Sequence, residues 1–292
     1  MKRKKETMKG KALISLLAGL MFIPALAQNL EESLLWKVEG KGIKTSHLFG
    51  TVHMLPKEKF ELKDKVKAAI SESDVMVMEL DFSDPNISMQ MMNSAMMTGD
   101  ETVGDFLSED QFRILDSILI QTAGVSLMAV QKLKPFMISS MLIQRFVGSE
   151  PASFEGTLTQ MAMSDSMPII GLETVAEQMA VFDSISYRTQ ARGLIELIED
   201  EDEVIALYDE LIEAYRSEDL NALYDLILQE MHSPEEEGFM LTKRNKAWIG
   251  DIGEIAKEDR AFIAVGAGHL AGSEGVIELL RVAGYRVSPV LN

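Results

Sequence analysis

Two short stretches at opposite ends of the chain constrain its fold more than anything between them. Leu48-Phe49-Gly50-Thr51-Val52-His53 and Ala261-Phe262-Ile263-Ala264-Val265-Gly266-Ala267-Gly268-His269 are each an apolar run that breaks at a glycine and delivers a histidine three residues later. A strand ending in such a turn puts its histidine at a sheet edge, where ligands and substrates can reach it. The copies lie more than 200 residues apart, so only a fold that brings the chain ends together makes them one site. Held apart, they are simply two satisfied histidines at strand ends.

The stretch Asp74-Val75-Met76-Val77-Met78-Glu79-Leu80-Asp81 is nearly continuous in apolar residues and ends in two acids. Such a run suits a strand buried on both faces, with Glu79 and Asp81 at its C-terminal edge. Residues 34–38 and 45–49 read as a hairpin around Glu39-Gly40-Lys41-Gly42. A short strand over 167–172 delivers Glu173 to the start of a helix running through Val175, Gln178 and Met179. An acid there either favours the helix N-terminus or faces a site. Residues 261–265, 275–280 and 285–290 form a strand-helix-strand unit, expected as a parallel pair with a right-handed crossover. His269 then lies at the C-terminal end of its strand, where open α/β sheets place ligands.

The rest is helical in pattern. Residues 85–147 carry Met89, Met91, Met92, Met96 and Met97, which read as a flexible helix filling an irregular core rather than a pliable groove. Pro135 opens one of these helices, because proline fits the first turn. Between Glu196 and Glu213 lie nine acids and no base, with Ile and Leu at intervals of three and four. That is a solvated helix face. His232, beside Ser233-Pro234, reads as an exposed loop histidine, and residues 239–256 as one helix carrying Arg244 and Asn245.

The opening segment is read apart from the fold. Lys2, Arg3, Lys4, Lys5, Lys9 and Lys11 precede an apolar run over 12–23, then Pro24 and Ala25-Leu26-Ala27. This is a signal-peptide pattern over residues 1–27, with cleavage after Ala27, export to the periplasm or medium, and a retained anchor as the alternative. Cleavage removes six bases and one acid, a net of +5, so a chain of net charge −18 becomes one of −23. Such a surface repels phosphate backbones, which excludes nucleic acid as a natural partner. After cleavage no stable membrane span is expected. No repeat or Pro/Gly/Ser linker divides residues 28–292, which are read as a single domain.

With no cysteine in the chain, any metal must be held by His, Asp and Glu. Two neutral imidazoles and nearby carboxylates suit a divalent first-row ion such as Mn, Co or Zn, which would acidify a bound water. The expected ligands are His53, His269 and Glu79. The expected catalytic set is Glu79, Glu173 and Arg244, with Glu79 or Glu173 as ligand or general base. Arg244 would orient an acid or hold a substrate carboxylate, and its replacement by Lys is expected to reduce activity with little loss of stability. There is no G-x-S-x-G and no H-E-x-x-H.

These residues resemble those of the TraB/GumN family, the group that includes the Tiki membrane-tethered proteases. The match consists of the two G-x-x-H stretches, Met78-Glu79-Leu80-Asp81, Gly171-Leu172-Glu173-Thr174 with Gln178, Arg244-Asn245, and Leu270-Ala271-Gly272 followed by Gly284-Tyr285. The resemblance implies an α/β (α+β) fold of the ChaN/Tiki-like kind, a mixed central sheet flanked by helices with a large helical insertion. It also implies a metal site built from the paired histidines, and a peptide or protein substrate in the Tiki branch. Similarity to haem-binding ChaN-like proteins makes a metal- or haem-binding exported protein the alternative to a metal-dependent, peptidase-like hydrolase.

Overall fold

The computed structural model describes residues 30–291, apart from Ser149, Glu230, His232 and Ser233. The segment read as a signal peptide and His232 therefore lie outside the described residues.

A six-stranded sheet forms the centre. Its strands are β1 (Leu35–Glu39), β2 (Ser46–Thr51), β4 (Val75–Met78), β6 (Ile169–Gly171), β7 (Ala261–Gly266) and β8 (Arg286–Pro289), while β3 (Leu55–Pro56) and β5 (Pro151–Ala152) make a small second sheet. The spatial order is β6-β4-β7-β2-β1-β8. Every residue of β2 and β4, and all of β7 but Gly266, is buried, as strands covered on both faces should be. β6, β4, β7 and β2 pair in parallel, so their C-terminal ends share one edge of the sheet. β1 runs antiparallel between β2 and β8.

This corrects one expectation. β7 and β8 do point the same way, but they do not pair, because the β1–β2 hairpin lies between them. Parallel strand order is set by distant packing partners, which a local strand-helix-strand pattern does not encode. The inserted hairpin puts β2 beside β7 in the register Gly50↔Val265 and Thr51↔Gly266, so the two G-x-x-H stretches are neighbours. From β4 the chain passes on to β6 at one edge, and from β7 toward β8 at the other. Connections that diverge in this way leave a crevice at the strand ends, the usual ligand position in such sheets.

Helices fill the long connections. Ser108 with Gln111 and Thr174 with Glu177 form capping boxes, and Pro135 stands in the first turn of Pro135–Val147. The insertion has a core of its own, built on Val103, Leu115, Leu119, Ile138 and Leu142 and joined by Leu194 from the helix Tyr187–Glu199. The methionines divide: Met97 is buried, whereas Met89 and Met92 are 60% exposed, so only part of that stretch fills a core. Of the nine acids between Glu196 and Glu213 all but Glu201 are exposed, the solvated face expected. No helix among the described residues is long and apolar enough to cross a membrane.

Candidate functional site

The glycines of the two motifs are packing devices. Gly50 lies within β2, not at a turn, and a Cβ there would come within 2.9 Å of Leu270 and 3.1 Å of the Ala267 side chain. The absent side chain lets one motif lie directly on the other. At Gly268 a Cβ would meet Ile227 at 2.8 Å, so this glycine lets the helix Leu220–Gln229 settle over the turn that carries His269. The turn that carries His269 is thus seated by the close approach of bare glycine backbone to side chains from distant segments.

Glu79 follows β4, Glu173 follows β6, and His269 ends the turn after β7. Arg244 reaches them from the helix Lys243–Glu258, which opens with a π-helical turn over Gly238–Thr242. That turn sends the Lys243 N–H to the Gly238 carbonyl, five residues back. The Met240 carbonyl accepts from Arg244 Nη1 at 3.1 Å. Single π turns of this kind recur at functional sites.

All five N–H donors of Arg244 are used. Nε donates to both Glu173 oxygens at 3.1 Å, and Nη2 to Glu79 Oε2 at 2.6 Å and to Glu173. Nη1 donates to Met240 and, at 3.0 Å, to His269 Nε2. Gln178 bridges the two carboxylates, donating to Glu79 Oε2 and Glu173 Oε1 at 3.1 Å each, and the Gly266 N–H donates to Glu79 Oε1 at 2.8 Å. The guanidinium also lies 5.0 Å from the centre of the buried Trp248 ring.

The tautomer of His269 follows from its partners. Asn245 donates its amide to the Glu274 carbonyl at 2.8 Å, which leaves its Oδ1 to accept from His269 Nδ1 at 2.6 Å. The proton therefore sits on Nδ1, and the Nε2 lone pair accepts from Arg244. Burial pushes the His269 pKa down to about 3. Burial opposes ionisation of Glu79, yet His269, Arg244 and His53 around it and the Gly266 N–H bring its pKa down to about 2. Glu173 moves the other way: burial and the neighbouring Glu79 outweigh Arg244 and raise its pKa.

A neutral buried histidine makes stability depend on pH. The unfolded chain takes up a proton near pH 6.5, whereas folded His269 does not until about pH 3. The unfolded state therefore binds more protons in that window, and stability is lost as pH falls through it, by about 1.4 kcal/mol per unit for one proton. His47, also lowered by burial, acts in the same sense. Urea unfolding at pH 7, 6 and 5 should accordingly show a shallower acid loss in His269→Gln than in the parent. Equal slopes would mean that His269 takes up its proton in the folded state.

His53 stands apart from this cluster. Its imidazole is 76% exposed at the mouth of the crevice, and Nδ1 lies 3.2 Å from Glu155 Oε1. Glu155 itself is held by Thr51 Oγ1 at 2.8 Å and by Ser153, the N-cap of its own helix Phe154–Ser164, at 3.0 Å. The bond to Glu155 raises the His53 pKa to about 9. For Glu155, burial is outweighed by His53, and its carboxyl is lowered. No described residue bonds His53 Nε2. Glu155 is the member that the sequence reading missed, since an acid in a first helical turn is ordinary in sequence.

The structure thus brings Glu79, Glu173, Arg244 and His269 into one bonded cluster, with His53 facing the same cavity of about 340 Å³. Asp81, by contrast, turns to Ser83 in a local loop. The arrangement does not fit a divalent ion. The guanidinium fills the space between the carboxylates, the His269 lone pair is taken, and among the described residues no group of three or more His, Asp or Glu is disposed to hold a metal.

The model of the TraB/PrgY/gumN family matches residues 34–289, nearly all of the described chain. No curated protein and no solved structure matches.

Proposed function

Because the chain belongs to the TraB/PrgY/GumN family, and because of what stands at the mouth of its crevice, we propose that it is a hydrolase of peptide-like bonds with His53 as general base. The observation that carries this reading is the His53–Glu155 pair: Nδ1 is held by a half-buried carboxylate, while the imidazole as a whole stays exposed where it lines the cavity. A carboxylate on one ring nitrogen fixes the tautomer and orients the ring, leaving the other nitrogen to move a proton.

In this reading neutral His53 takes a proton at Nε2 from a water that attacks the carbonyl carbon. Glu155 stabilises the imidazolium so formed, and the same proton passes to the leaving amine as the bond breaks. Arg244, Glu79 and Gln178 line the floor against which the substrate rests, and Glu173 holds Arg244 in place. They are too fully bonded to one another to move protons themselves.

Digestion of a pool of unstructured peptides, read by mass spectrometry, tests the proposal. The parent should yield new fragments that are missing with His53→Gln. A parent that leaves the pool intact, or a variant that cuts it equally well, would contradict it.

A further inference from the structure

The His53–Glu155 pair stands on a ridge between two hollows. His53, Phe82 and Glu155 line both the 340 Å³ cavity and, on the other side, an open trough of about 400 Å³. The two differ in chemistry. Leu211, Leu223, Ile227, Met240 and Phe182 wall the inner cavity, and its charged groups are paired with one another at the floor and mouth. The trough follows one side of the helix Phe154–Ser164, past Ser153, Thr159 and Gln160; the Ser153 and Thr159 hydroxyls are held by Glu155 and Met78, and the exposed Gln160 amide is the group that can meet a peptide.

A group that enters the inner cavity loses its water and finds apolar walls. A charged side chain there would be left without compensation, whereas an aromatic or branched aliphatic one gains from the transfer. The volume is at the low end for a ligand pocket, room for one large side chain and not for a folded segment. Resting on the hydrolytic reading above, we propose that the inner cavity is the specificity pocket for a bulky, uncharged apolar side chain of an extended peptide. The peptide crosses the ridge and leaves along the trough, so the bond beside the anchored residue lies over His53. Ile227 sets the depth of the pocket, since its side chain is pinned over Gly268.

The test uses peptides acetyl-Gly-Gly-X-Gly-Gly-amide with X as Phe, Leu, Ala or Asp. Their binding is measured by calorimetry on the full chain carrying His53→Gln, and their cleavage on the parent. Phe and Leu should bind at least ~10-fold more tightly than Ala, and Asp most weakly. Adding Leu211→Trp, which fills the cavity, should level the series while the circular dichroism stays that of the parent. Should that chain not fold, Ile227→Ala enlarges the cavity instead and should move the preference from Leu toward Phe. Equal binding across the series, or a preference for Asp, would overturn the pocket. If the binding order holds but the parent cuts none of the peptides, the pocket stands and the hydrolytic reading fails. If all are cut at one rate and bound alike, the reverse follows.

Discussion

Replacing Arg244 with Ala should cost about 3–5 kcal/mol of folding stability at pH 7. The reason is what remains behind. Glu79 and Glu173, whose side chains are 11% and 7% exposed, would face each other without the cation that separates them. His269 Nε2 and the Met240 carbonyl would lose their donor as well. Two buried carboxylates in contact cannot both stay ionised, so one should take up a proton and the loss should shrink as pH falls toward 5. Urea unfolding at pH 7 and pH 5 reads both effects. A loss below about 1 kcal/mol at pH 7 would show that the cluster is solvated and that the guanidinium is not its keystone.

The same geometry revises what the sequence led one to expect of Arg244→Lys. An ammonium is a point charge with three donors, and it cannot serve the five acceptor directions that the planar guanidinium reaches here. Lys should therefore lose stability as well as activity.

The second large effect is on activity. His53→Gln should lower kcat/KM by about 100- to 10,000-fold, the range for loss of a general base, while leaving the fold intact. The imidazole is mostly exposed, and its removal breaks one bond, that to Glu155. Thr51 and Ser153 still hold the carboxylate. Unfolding midpoint and rate measured on one preparation separate the two. A variant within threefold of the parent would remove His53 from the chemistry.

Much of this was legible in the sequence, for identifiable reasons. Strands at 75–78 and 261–266 stand out because burial on both faces demands an unbroken apolar run. Glu79, Glu173 and His269 could be placed together because each follows such a run at the end where ligands gather. What eluded the sequence was relational. Carboxylates and an imidazole around a cation look alike in sequence whether the cation is a metal or a guanidinium, and Arg244 stands far from its partners along the chain. Gly50 reads as a turn, but its role is to admit Ala267 and Leu270. Glu155 carries no periodic or motif signal. Its importance comes entirely from Thr51, Ser153 and His53 closing around it.

In the proposed reaction His53, polarised by Glu155, does the proton transfer. Its most direct test is the pH profile of kcat/KM for one cleaved peptide, from pH 5.5 to 10, with a chelator present throughout. A base works only when unprotonated, and Glu155 raises the His53 pKa to about 9. The rate should therefore persist in chelator and climb with pH through a single midpoint clearly above the ordinary 6.5 of histidine. A chelated protein that is inactive at every pH until a divalent ion is restored would contradict the account.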